Sequence, residues 1–274
     1  MLKQKLTKSL GLLVVFFLTG ISNAHAQFVF ASSDMDIFNL RFSSSDPLAE
    51  LIWIDEWYGT VTAHAHDTDS GSDNDFDDLL GNDGFIDAQA ITAHVFSEAT
   101  YDVTNGDLIA IDPSAGIGAT THSDLLLTEK YKQADGFALA DFDNFFIVVG
   151  GNAGESVEVT FELDYAGQLT GDADGKGFFE IELGALAFLE DINGNLVAED
   201  FIFDNHSGTN TFFHEDYLGT LTLTAELFYE DEYWFFAGAD AEVYGVTVPE
   251  PNVLLLMLSG LGFFTWQKKK SFKA

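Results

Sequence analysis

Between Asp67 and Asp78 the chain reads Asp-Thr-Asp-Ser-Gly-Ser-Asp-Asn-Asp-Phe-Asp-Asp, an alternation of oxygen-bearing side chains around a single glycine. Calcium takes six to eight hard oxygen ligands, and a run of this kind can wrap that many around one ion. Asp67, Asp69, Asp73, Asp75 and Asp77 are therefore candidate ligands, and Ca2+ is the one cofactor that the sequence suggests. The spacing is not that of an EF-hand, because Gly71 is the fifth position counted from Asp67 and no Glu stands at the twelfth. The alternative is a solvated acidic loop. Repulsion among so many carboxylates favours cation uptake even without a defined cage.

Two further groupings carry chemistry. His64 and His66, two apart on an expected strand, share a face and could chelate a divalent transition metal together with Asp67; the alternative is a pair of surface polar residues. Trp53, Trp57 and Tyr58 surround Asp55 and Glu56, so a strip of rings could stack on sugars while the carboxylates accept hydroxyl hydrogen bonds. Against that stands their use as core. A glycosidase needs only two suitably spaced acids, and in so acidic a chain some pair qualifies by chance. No Gly-x-Ser-x-Gly elbow, phosphate loop or His-Glu-x-x-His helix is present, so catalysis is the minority expectation.

The ends of the chain are more specific. Lys3, Lys5 and Lys8 precede an apolar run from Leu10 to Leu18, and Ala24-His25-Ala26 follows with small residues where signal peptidase cuts. This predicts a signal peptide over residues 1–26 and a mature start at Gln27. At the other end Pro249-Glu250-Pro251 is followed by an apolar stretch from Val253 to Trp266 and then by Lys268, Lys269, Lys270 and Lys273. As a helix the stretch reaches roughly 21 Å, short of the roughly 30 Å hydrocarbon core. Lys268 to Lys270 stay on the cytoplasmic side and place the body outside.

That order, Pro-Glu-Pro, short hydrophobic segment, basic end, resembles the PEP-CTERM sorting tail of Gram-negative bacteria that make exopolysaccharide. The resemblance covers residues 249–274 and departs from the class in having lysine where arginine is usual. It implies processing near Pro249, Glu250 and Pro251 by an exosortase, a membrane-embedded cysteine transpeptidase, and transient residence in the inner membrane. It further implies delivery to the cell surface or extracellular matrix, where extracellular polysaccharide is the expected partner.

Seven of the 11 Lys and Arg lie in the two end segments, and only Glu250 of the 45 Asp and Glu lies outside residues 27–248. The body thus holds four cations against 44 acids, a formal charge of −40. Such a surface repels nucleic acid and anionic lipid. With 27 Phe the body can nevertheless bury a core, and the absence of cysteine removes thiol catalysis and Cys-ligated metal.

The elements that must position these residues follow a period of two. Val157, Val159, Phe161, Leu163 and Tyr165 alternate with polar residues, as do Leu221, Leu223, Ala225, Leu227 and Tyr229; Phe179 to Phe188, Glu199 to Phe203 and Tyr233 to Val246 read likewise. Turns are expected at Asn152 to Gly154, Gly171 to Gly175 and Asp191 to Asn195. In the first half, Phe28 to Phe42, Leu51 to Ile54, Thr60 to His66 and Ile86 to Phe96 are expected strands, separated by the Asp-rich run 67–83 and a looser stretch from Thr104 to Asp124. The echo of Thr62-Ala63-His64 in Thr92-Ala93-His94 hints at paired strands. The expectation is one all-β domain over 27–248, an antiparallel β-sandwich or jelly roll flanked by a signal-peptide helix and a short transmembrane helix.

Overall fold

The computed structural model describes residues 28–54, 56–81, 84–104, 116–129 and 132–247. The signal segment, Gln27 and the sorting tail lie outside these residues, and so do the two expected terminal helices. The described chain is all-β. Its strands are β1 (Phe28–Ser44), β2 (Glu50–Trp53), β3 (Tyr58–Asp67), β4 (Gly71–Leu80), β5 (Gly84–Ile91), β6 (Val95–Thr104), β7 (Gly116–Leu127), β8 (Gln133–Val149), β9 (Ser156–Asp191), β10 (Leu196–Phe228) and β11 (Glu232–Thr247).

All pairings are antiparallel, in the order β4-β3-β8-β11-β9-β1-β7-β6-β5, with β2 beside β8 and β10 running along β9. The sheet folds over because β9 changes neighbour in mid-course. Its first arm pairs β1 through Val159 to Asp174, and its second arm pairs β11 through Gly177 to Asp191. Gly175 turns the corner with φ +66°, a conformation that costs a residue without Cβ little. β10 bends at the same level, with a register shift between Thr209 and Thr211 and Asn210 at φ 51°. One layer therefore holds β4, β3, β8, β11 and the second arm of β9; the other holds the first arm of β9 with β1, β7, β6 and β5.

Alternation along each strand fills the space between the layers. At one end Trp57, Phe142, Phe146, Phe161 and Phe235 are fully buried, with Trp53 half-buried against them. Phe161 meets Phe235 across the layers at 5.4 Å between ring centroids, and Tyr101 stacks on Phe142 at 5.8 Å. Elsewhere the inner positions are small, as in Ala63, Ala65, Ala138, Ala239 and Ala241. There the layers come close enough for hydroxyls to bridge them. Ser33 donates to the Glu182 carbonyl at 2.5 Å, and Ser123 donates to the Ala241 carbonyl at 3.2 Å.

Both seams of the folded sheet are closed by aspartates instead of ladder bonds. The amides of Gln89 and Ile91 on β5 donate to Asp75 and Asp73 on β4 at 3.1 and 2.9 Å, and Ala93 N donates to Ser70 Oγ at 3.1 Å. At the opposite seam the Thr222 amide in one arm of β10 donates to Asp200 in the other at 2.7 Å, and the Tyr217 hydroxyl donates to Asp204 at 2.8 Å. An edge N–H left bare invites another strand, and a carboxylate satisfies it without extending the sheet. The result is a nearly closed antiparallel sandwich.

Four expectations need correction. The Asp-rich run is not a loop: most of it is β4, because its alternation lets one set of carboxylates face β5. Ile86 to Phe96 is two strands, β5 and β6, hinged at Thr92, where Thr92 N donates to the Val95 carbonyl. The Gly171 to Gly175 turn is a corner inside a continuous strand, since β10 follows it on the flank. The Thr-Ala-His echo does not pair: β3 lies between β4 and β8, and residues 92–94 form the β5–β6 turn. The turns at Asn152 to Gly154 and Asp191 to Asn195 stand as expected, with Gly154 and Gly194 at positive φ.

Candidate functional site

The five calcium candidates are dispersed by their partners. Asp67 is buried at the end of β3, where its carboxylate accepts from Asp69 N at 2.7 Å, from Ser70 N at 2.5 Å and from Ser70 Oγ, with His94 Nδ1 at 3.3 Å. Burial works against its charge, but these hydrogen bonds win and hold the carboxyl well below the usual range. Asp69 pairs with Lys132, Asp73 and Asp75 bind the β5 backbone, and Asp77 accepts from Asp78 N. Among the described residues no group of three or more His, Asp or Glu is placed to hold a metal ion.

His64 and His66 do share the outer face of β3. Asp67 does not join them, because the next position along the strand points inward. His64 instead contacts Asn74 at 2.5 Å and Asp135 at 3.5 Å, and His66 contacts Ser72 at 2.9 Å. The sugar strip also divides. Trp57 is fully buried and Trp53 lies 4.4 Å from it, ring to ring, inside the aromatic core. Only Tyr58 faces out, 36% exposed.

Tyr58 leads to a surface that sequence reasoning missed. On the outer side of β8, β11 and β9 the half-buried rings of Phe145, Trp234, Phe236 and Phe188 lie in cross-strand register: Trp234 opposite Phe145, Phe236 opposite Phe188. Centroids are 6.4 Å apart for Phe145 and Trp234, 5.9 Å for Trp234 and Phe236, and 4.8 Å for Phe236 and Phe188. Beyond Phe188 the face continues through Leu186 to Phe201 on β10, which is 60% exposed. Carboxylates stand among the rings. Asp143 is opposite Phe236 and accepts from Trp234 Nε1 at 3.0 Å; Glu190 is opposite Trp234. On the side of β3 a shallow depression of about 360 Å³ is lined by Glu56, Tyr58, Leu80, Asp143, Asn144 and Phe145.

This face is electrostatically loaded. Burial pushes the carboxyls of Asp143, Asp141 and Asp240 above their ordinary values; for Asp141 the charge of Asp143 adds to it. Further along the same layer burial raises Glu182, with the charges of Glu242, Asp240 and Glu180 adding to it, and raises Glu242, with those of Asp240, Glu180 and Asp135 adding to it. Gly184 makes room for this, since a Cβ there would come within 2.4 Å of the Asp240 carboxylate. A signal for the platform did exist in the sequence. Tyr233-Trp-Phe-Phe236 is apolar at both parities, and in a two-layer sandwich one parity must face out.

A second charged cluster lies on the outer face of β1 and β7. His122 is held by Asp124 at 2.9 Å through Nε2 and by Asp34 through Nδ1. The bonds to Asp124 and then Asp34 push the imidazole pKa up to about 10, so the ring is a fixed cation at neutral pH. Arg41 likewise binds Asp164 at 2.6 and 2.7 Å and Glu162 at 3.2 Å, which holds the Asp164 carboxyl well below the usual range. These cations serve the fold.

No family model matches the chain, and no curated protein matches it. Among solved structures the comparison gives vicilin from hazelnut, Corylus avellana, at 6% identity over 82% of this chain and 78% of that chain, with a TM-score of 0.11. That likeness supports no inference.

Proposed function

We propose that this chain is an exported, non-catalytic component of the bacterial cell surface or extracellular matrix. It is secreted by the signal over residues 1–26 and cut from its membrane tail by an exosortase near Pro249, Glu250 and Pro251. The observation that carries this reading is the fixed order of Pro-Glu-Pro, a hydrophobic stretch too short for stable residence in a bilayer, and Lys268 to Lys270. The body is read as jelly-roll-like, a soluble anionic unit delivered outside a Gram-negative inner membrane.

The carboxylates support a structural reading of the body. Asp67 locks a turn, Asp73, Asp75 and Asp200 seal seams, and Asp164 holds Arg41. Acids so engaged keep the sandwich closed and are not free for proton transfer. Calcium remains part of the proposal only as a diffuse counterion that could bridge this surface to other anionic polymers. Replacing Pro249, Glu250 and Pro251 by alanine in the native host should leave the protein in the inner-membrane fraction, whereas the parent reaches the medium or cell surface. Equal release of both forms would refute exosortase processing.

A further inference from the structure

The two seams of the sandwich repeat one unit. On β4 the carboxylates of Asp73 and Asp75 each use one oxygen for the next amide of their own strand, Asn74 N at 3.1 Å and Phe76 N at 3.0 Å. With the other oxygen they reach across to β5, Asp73 accepting from Ile91 N at 2.9 Å and Asp75 from Gln89 N at 3.1 Å. On β10 Asp200 does the same for Phe201 N at 3.0 Å and Thr222 N at 2.7 Å. A carboxylate engaged by two amides acts as an end stop, because it satisfies the edge and leaves no backbone ladder for a further strand.

The edge held back at β5 is self-complementary. Phe85 and Asp87 share the parity of Gln89 and Ile91, so the backbone groups of all four point to the seam. Their side chains are exposed, Phe85 at 59% and Ile91 at 58%. A second β5 laid antiparallel and centred on Ala88 sets Phe85 opposite Ile91 and Asp87 opposite Gln89, each pairing occurring twice about the two-fold axis. Apolar meets apolar, the acid meets an amide, and no like charges are opposed. Each of these pairs can exchange two backbone bonds. Charge also selects this edge. Asp87 is the sole charged side chain of the 8-residue β5, whereas β4 carries Asp73, Asp75, Asp77 and Asp78 and would repel its own copy. We propose that β5 is a latent self-association edge: freed from Asp73 and Asp75, it pairs antiparallel with β5 of a second copy, and the two aspartates hold the chain monomeric. The inference stands on this seam alone and does not depend on how the tail is processed.

Sedimentation of the purified full chain, held in non-ionic detergent because both ends carry apolar stretches, tests it. The parent should stay monomeric, while Asp73→Ala with Asp75→Ala should raise the average mass toward twice that value between about 0.01 and about 1 mM. Asp73→Asn with Asp75→Asn keeps an acceptor oxygen at each position and should associate about tenfold more weakly than the alanine pair. Adding Gln89→Pro to the alanine pair removes a central edge amide and should restore the monomer. Glu199→Ala with Asp231→Ala removes as many exposed charges away from this seam and should leave the chain monomeric. Asp75→Ala alone frees the Gln89 amide and should associate more weakly than the pair, a readout that survives if the double variant fails to fold. Monomers throughout in both alanine variants overturn the proposal, as does a parent that dimerises as strongly as the alanine pair. Association that Gln89→Pro leaves intact, or that the Glu199 and Asp231 variant shares, would mean mere relief of charge and overturns it too.

Discussion

His122 shows how single residues turn the acidity of this body to structural use. Its pKa is raised in the folded state, so its two carboxylate partners stabilise the fold fully below the unfolded value near 6.5, and that stabilisation is lost as the pH rises toward about 10. His122→Gln should therefore flatten the decline in melting temperature across that window, and a decline of equal slope in the variant would contradict the assignment. Asp67 has the opposite sign. Its folded-state carboxyl is depressed, so its contribution is complete above the ordinary carboxylate value and is lost as the pH falls below it. Asp67→Ala should lower stability at neutral pH by about 2 kcal/mol and remove part of the acid sensitivity, as read by urea unfolding at two pH values. Inside the core, Phe235→Ala should cost about 3–5 kcal/mol by opening a cavity beside Phe161 and Trp57.

At the scale of elements, the seams distinguish this sandwich from a fully hydrogen-bonded barrel. If Asp73 and Asp75 satisfy the edge of β5, Asp73→Ala with Asp75→Ala should speed hydrogen exchange at the Gln89 and Ile91 amides relative to Ala88 and Ala90, with a loss of about 1 kcal/mol because the bonds are exposed. Unchanged exchange there would show that the carboxylates only decorate the edge. This seam is also where sequence reading was least able to see. Alternation at Val157 to Tyr165, Leu221 to Tyr229 and Tyr233 to Val246 announces strands because each has one apolar parity. β4 lacks that mark: its exposed positions carry Asp at one parity and Ser, Asn and Phe at the other, so it reads as a loop until β3 is known to flank it. β8 escaped for the reverse reason, having small or apolar residues at most inner positions and a mixture of Asp, Phe and Leu outside. The corner at Gly175 was misread because local turn chemistry cannot reveal that β10 continues alongside. The candidate site was legible only at Tyr58. Trp53 and Trp57 have the residue types of a sugar platform, but their positions in the pairing place them inside, whereas Trp234 and Phe236 owe their exposure to a parity that the fold alone decides.

For the whole molecule, charge and delivery are one problem. A body of four cations and 44 acids repels itself, and two of the cations are engaged locally: Arg41 on Glu162 and Asp164, and Lys132 on Asp69 and Glu129. Screening relaxes repulsion over roughly 8–10 Å at ordinary ionic strength, so raising NaCl from about 0.02 to about 0.5 M should raise the melting temperature by several degrees. A lower melting temperature in salt would show that specific ion pairs outweigh the general repulsion. On the proposed delivery, the same anionic surface would keep the released protein soluble. Mass spectrometry of protein recovered from the medium or cell surface of its own host tests the delivery claim most directly. The account predicts a chain that starts at Gln27 and ends near Pro249 to Pro251; recovered protein still carrying residues through Ala274 would contradict it.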